Sequence, residues 1–163
     1  MMKLMLFAPC EKLIIGKDNH SSLITVLEHI QLDIKAGAEI PNDAAAPYRW
    51  TVISLFHRDF EIDKPTDYET KVELISPSGK ANMGGTTVFN VTNEHYNFRN
   101  LLDFPVMPVE AGIHKLMLYL KKMEEENWEQ VGEYPIRVVH NFVEVEDENK
   151  NEVESEQPVE VAN

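Results

Sequence analysis

YRWTVISLFH, residues 48–57, reads as a β-strand that is apolar on both of its faces. Alternation puts Trp50, Val52 and Phe56 on one side and Ile53 and Leu55 on the other. A strand of that kind is central in its sheet, or it covers a second contact surface. The same period of two recurs on either side of it. Ile113–Lys121 sets Leu116, Leu118 and Leu120 against Lys115, Met117, Tyr119 and Lys121, the pattern of a half-buried strand. Tyr68–Ile75 has Val72 and Leu74 on one face and Lys71 and Glu73 on the other. Thr86–Thr92 aligns Thr87, Phe89 and Val91. The last strand aligns Tyr134, Ile136, Val138 and Phe142, with Trp128–Val131 as its start.

Toward the N-terminus, Met2–Phe7 and Glu11–Gly16 (EKLIIG) predict two short strands joined through Ala8-Pro9-Cys10. Ser22–Ile34 predicts one long extended run with Ile24, Val26, Ile30, Leu32 and Ile34 on one parity. Glu28 interrupts that face, so a bulge near Glu28 or His29 is expected. A helix over Leu23–Leu32 competes, because Leu23, Val26, Leu27 and Ile30 fit helical spacing; the β-branched content favours the strand. Residues 35–46 and 58–66 read as connections, Asn82–Gly85 as a flexible stretch, and Asn97–Phe104 as a strand or irregular segment. Ser76-Pro77-Ser78-Gly79 has the residue preferences of a type I turn. Met123–Asn127 is a charged hairpin tip. Eight or nine short strands with frequent turns predict an all-β fold, an antiparallel β-sandwich; a closed barrel is the alternative.

The chain has 163 residues, enough for one domain with one core, expected over residues 1–143. Residues 144–163 hold eight acidic residues and one lysine, a net of −7 that leaves −6 for the rest. No apolar cluster stands there, so a disordered acidic tail is expected. The whole-chain charge of −13 argues against nucleic-acid and anionic-membrane partners. The single cysteine, Cys10, leaves no sign of an oxidising compartment. The apolar start before it is too short for a signal-peptide core, and Pro9 suits a lipidated cysteine poorly. A cytoplasmic chain is expected. The sequons at Asn19-His20-Ser21 and Asn90-Val91-Thr92 are then chance matches.

No motif assigns catalytic, cofactor-binding or metal-binding residues. His57-Arg58-Asp59 resembles a kinase catalytic triplet, but Lys64 stands where that loop needs asparagine. Solvated residues at a strand end are the expected reading. His20, His29, His57, His95, His114 and His140 make no i, i+2 or i, i+4 pair. His114 and His140 share the parity of inward-facing neighbours and lie on the last two long strands. They could hold a metal with a carboxylate, or be hydrogen-bonded at the edge of the core. Met83-Gly84-Gly85 lacks the lysine and helix of a phosphate loop and reads as a flexible hairpin connection. Trp50, Phe56, Phe89, Tyr119, Trp128 and Tyr134 could stack a sugar or base, although burial in a core is their usual use.

Three stretches carry a resemblance: the start with EKLIIG, KVELISPSGK, and FPVMPVEAGIHKLMLYL followed by YPIRVV. Together they resemble an uncharacterised family of small bacterial proteins with an immunoglobulin-like β-sandwich. The resemblance implies that fold over about residues 1–143 and brings no activity, cofactor or site residue.

With no catalytic signature, the expected function is a protein-interaction or assembly module, including a homodimer through a sheet face. The features that motivate it are the two apolar faces of residues 48–57 and the outward Met117 and Tyr119. A small-molecule or carbohydrate-binding sandwich is the alternative.

Overall fold

The computed structural model describes residues 2–41 and 43–144; the acidic segment expected to be disordered lies outside them from residue 145 on. Nine strands form: β1 (Lys3–Ile15), β2 (Ser21–Val26), β3 (His29–Lys35), β4 (Ala45–His57), β5 (Thr66–Ile75), β6 (Ala81–Val91), β7 (Asn97–Pro108), β8 (Gly112–Lys122) and β9 (Glu129–Val143). One sheet has the order β2-β1-β4-β7 and the other β3-β9-β8-β5-β6. The two pack face to face as a sandwich. β4 and β7 oppose β5, β8 and β9 as strands B and E oppose C, F and G in the immunoglobulin arrangement.

Alternation explains the core. Val72 and Leu74 of β5 lie opposite Leu118 and Leu116 of β8. With Ile136 and Val138 of β9 they meet Trp50, Val52, Phe56 and Phe104 of the other sheet, all buried. Each such aliphatic side chain stabilises the fold by about 1.5–3 kcal/mol. Trp50 stacks on Phe104 with ring centroids 4.6 Å apart and donates its indole N–H to the Val106 carbonyl at 3.0 Å. As expected of a strand apolar on both faces, β4 is flanked on both sides, by β1 and β7.

Several expectations are corrected. The first two strands are one, β1, which runs through Ala8-Pro9-Cys10. Pro9 is tolerated because its carbonyl, and so its missing N–H, turns away from β4, toward Leu27 N–H at 3.0 Å. The extra residue of β1 is Met5, in a bulge between Leu4 and Leu6 that sends Leu4 inward and Leu6 outward.

The run over residues 22–34 is neither one bulged strand nor a helix. It divides at Leu27-Glu28 into β2 and β3, which belong to opposite sheets. Leu27 is buried at the crossing and Thr25 has φ of 53°. The sandwich is also not wholly antiparallel: β3 pairs parallel with β9, from His29↔Arg137 to Lys35↔Val143.

Met83-Gly84-Gly85 is not a flexible connection but regular strand. Gly84 pairs with Glu73 and Gly85 with Val72. A Cβ at Gly84 would lie 2.6 Å from the Val72 carbonyl oxygen, and one at Gly85 would lie 3.1 Å from Leu102 Cδ2. The glycines allow close approach. β7 runs on through Pro105 and Pro108, which an edge strand accommodates. At residues 76–79 the expected turn forms, with Gly79 N–H donating to the Ser76 carbonyl at 2.9 Å and Gly79 at φ 84°.

Candidate functional site

His114 and His140, the two histidines that could hold a metal with a carboxylate, instead bond to backbone carbonyls. His114 is fully buried, and its Nε2 lies 2.8 Å from the Glu110 carbonyl. His140 Nε2 lies 2.6 Å from the Val109 carbonyl. A carbonyl only accepts, so each Nε2 carries the hydrogen. The two rings therefore grip consecutive carbonyls of the β7–β8 connection. That connection is also held from the other side. The Glu110 carboxylate accepts from Ser78 N–H and Ser78 Oγ–H, both at 2.9 Å, and so reaches the β5–β6 turn. The arrangement pins two turns together at one end of the sandwich. Among the described residues no group of three or more His, Cys, Asp or Glu side chains is placed to hold a metal ion.

His57-Arg58-Asp59 is not uniformly solvated. Arg58 is 1% exposed, and its guanidinium donates to the backbone carbonyls of Phe60, Asn93 (3.3 Å) and His95 (3.4 Å). Its Cζ also lies 4.8 Å from the centroid of the Tyr96 ring. The buried cation thus gathers the loops after β4 and β6. Sequence reasoning missed it because a buried arginine held by carbonyls leaves no acidic partner to find.

The aromatics divide between core and surface. Phe56, Tyr68 and Phe98 surround Phe89 with ring centroids 5.6–5.8 Å away. Trp50, Phe56 and Phe89 therefore have no free ring face for a sugar. Tyr119 and Trp128 lie on the outer face of the five-stranded sheet. Lys71 Nζ is 4.7 Å from the Tyr119 centroid, and Lys121 Nζ is 4.9 Å from that of Trp128. Glu73 and Glu69 pair with these lysines at 3.2 and 3.5 Å. Ammonium groups over the rings occupy the faces a carbohydrate would stack on. Tyr134 packs partly against the core and, with Glu28, Ile113, Pro135 and Arg137, lines an open depression of 410 Å³.

The outward side of the four-stranded sheet carries apolar rows interrupted by Arg99, Thr51 and Asp103. Residues opposite one another share a face. Ala8, Ile53 and Leu101 form one such row, and Leu6 and Leu55 another. Cys10 lies in the next row, between Thr51 and Val26. Burial raises the Cys10 thiol above its usual range, with the Asp103 carboxylate adding to it, the reverse of what a reactive thiolate needs. Beyond Cys10, β1 and β2 leave β4 as a two-stranded ribbon. Arg99 of β7 donates to Asn19 Oδ1 and Ser21 Oγ, both at 2.7 Å, and ties the tip of that ribbon to the far edge of the sheet. The ribbon carries Ile14, Ile15, Ile24 and Val26, each 42–45% exposed. No helix of the described residues is long and apolar enough to cross a membrane.

No family model and no curated protein matches the chain. It is similar to a solved structure described as the N-terminal domain of PorA, at 10% identity and a TM-score of 0.33, over 83% of this chain and 97% of that one.

Proposed function

We propose that this chain is a non-enzymatic protein-interaction module that binds its partner through the β1–β2 ribbon. The observation that carries this reading is the row of exposed branched apolar side chains Ile14, Ile24 and Val26 on one face of a ribbon anchored at its tip by Arg99. Exposed apolar patches of that kind mark protein contact surfaces. Anchoring reduces the ordering cost of binding, because the ribbon is held in place beforehand. A partner from the same compartment, taken as the cytoplasm, and a place among the uncharacterised bacterial immunoglobulin-like sandwiches fit the reading, since that family brings no activity.

The test is recovery of a stoichiometric partner by the full chain and by Ile24→Asp/Val26→Asp. Both positions are more than two-fifths exposed, so the fold tolerates them and the unfolding midpoint stays within a degree or two. Loss of the partner with an unchanged midpoint supports the reading; retention by the variant removes the ribbon from it. Small-molecule binding in the depression beside Tyr134 is the second reading. A thermal-shift series in which one ligand class stabilises wild type but not Ile113→Asp favours it.

A further inference from the structure

The sandwich has four edge strands: β2 and β7 in one sheet, β3 and β6 in the other. Three carry the features that keep natural edges from pairing. β7 contains Pro105 and Pro108. β3 is seven residues long with Asp33 and Lys35 on it. β2 is six residues long and breaks its own regularity at Thr25, φ 53°. Over Met83–Val91, past an extra residue at Asn82, β6 has none of these. Its 11 residues, ANMGGTTVFNV, include no charge and no proline. Its register with β5 is unbroken from Met83 to Val91.

The direction of its backbone groups follows from one contact. Thr70 Oγ1–H donates to the Thr87 carbonyl at 3.2 Å, so Thr87 turns its polar groups toward β5. Alternation then turns N–H and C=O of Gly84, Thr86, Val88 and Asn90 outward, along a row of unused donors and acceptors. The side chain of Val88 in that row is 52% exposed.

We infer that two copies of this chain pair through β6, antiparallel about a two-fold axis at Thr87. The pairing joins the two five-stranded sheets into one continuous sheet. Charge selects the occupant. On a chain of net charge −13, β6 is a neutral strip along which a second copy can lie without like-charge repulsion. Antiparallel pairing in this register sets Thr86 opposite Val88 of the second copy and Gly84 opposite Asn90. The interface is self-complementary in hydrogen bonds, as a two-fold contact must be. It does not depend on the ribbon.

Sedimentation velocity of the full chain over a wide concentration range tests it. Wild type shows a reversible monomer–dimer equilibrium. Val88→Lys places like charges near the axis and raises the dimer Kd tenfold or more, and Thr86→Lys on the same exposed row does the same. The thermal midpoint of each variant at dilution confirms that the monomer is folded. A chain that stays monomeric throughout overturns the inference. So does a dimer indifferent to both Val88→Lys and Thr86→Lys. A dimer abolished by Ile24→Asp and unmoved by Val88→Lys assigns self-association to the ribbon instead.

Discussion

Tyr48 Oη donates to Glu11 Oε1 at 2.7 Å. Burial, then that hydrogen bond and the carboxylate's charge, push the phenol from 10.0 to about 12. Below pH 10 both folded and unfolded chains keep the proton, and the contribution to stability is complete. Between pH 10 and 12 the unfolded chain ionises first, so stability falls as pH rises through that window. Tyr68 and Tyr134 are raised as well, burial being the first cause for each, and act in the same direction. Tyr48→Phe should lose about 0.5–1.5 kcal/mol at neutral pH with the hydrogen bond, and should fall less steeply in alkali. Urea unfolding at several pH values between 7 and 12 measures both effects. Arg58 is the second test at this scale. Arg58→Met leaves three carbonyls without a donor and should cost about 2–4 kcal/mol; Arg58→Lys should recover little, since one ammonium cannot reproduce the planar fork. The inward parity of His114 and His140 was legible in the sequence. Their partners were not, because a backbone carbonyl has no residue type to recognise.

Strands showed themselves wherever one side chain in two is buried, as in β5 and β8. They were misjudged where local composition and tertiary use disagree. Gly84-Gly85 looks flexible, yet a Cβ at Gly84 would strike the Val72 carbonyl of β5 and one at Gly85 would press on Leu102 of the opposing sheet. Gly84→Ala should therefore destabilise by about 1–3 kcal/mol through a clash with the Val72 carbonyl. Gly79→Ala has open space around it and should cost about 1–2 kcal/mol, from its φ of 84° alone. Chemical denaturation of the two variants separates backbone clash from dihedral strain. The division of residues 22–34 had no such signal. Ile24, Val26, Ile30 and Leu32 keep one parity through the crossing, while the first two end up exposed and Ile30 buried. Parity reports alternation, and it is silent on which sheet supplies the face.

At the scale of the molecule, the sandwich follows from amphipathic strands that must bury one face, which is why the architecture could be read and its parallel β3–β9 pair could not. That pair depends on a chain crossing fixed by Leu27 and by Arg137 N–H donating to the Glu28 carbonyl at 2.9 Å. Charge sets the final expectation. A fold carrying −13 repels itself, and salt screens that repulsion over a Debye length of about 8–10 Å at physiological ionic strength. The unfolding midpoint of the full chain at pH 7 should rise from low to moderate sodium chloride. Ending the chain at Val143 removes a net −7 and leaves −6. The shorter chain should then show a flatter salt dependence, its midpoint at low salt equal to or above that of the full chain. Equal slopes for the two chains would mean that the acidic segment's charge does not act on the sandwich, and that the repulsion arises among the carboxylates of the strands themselves.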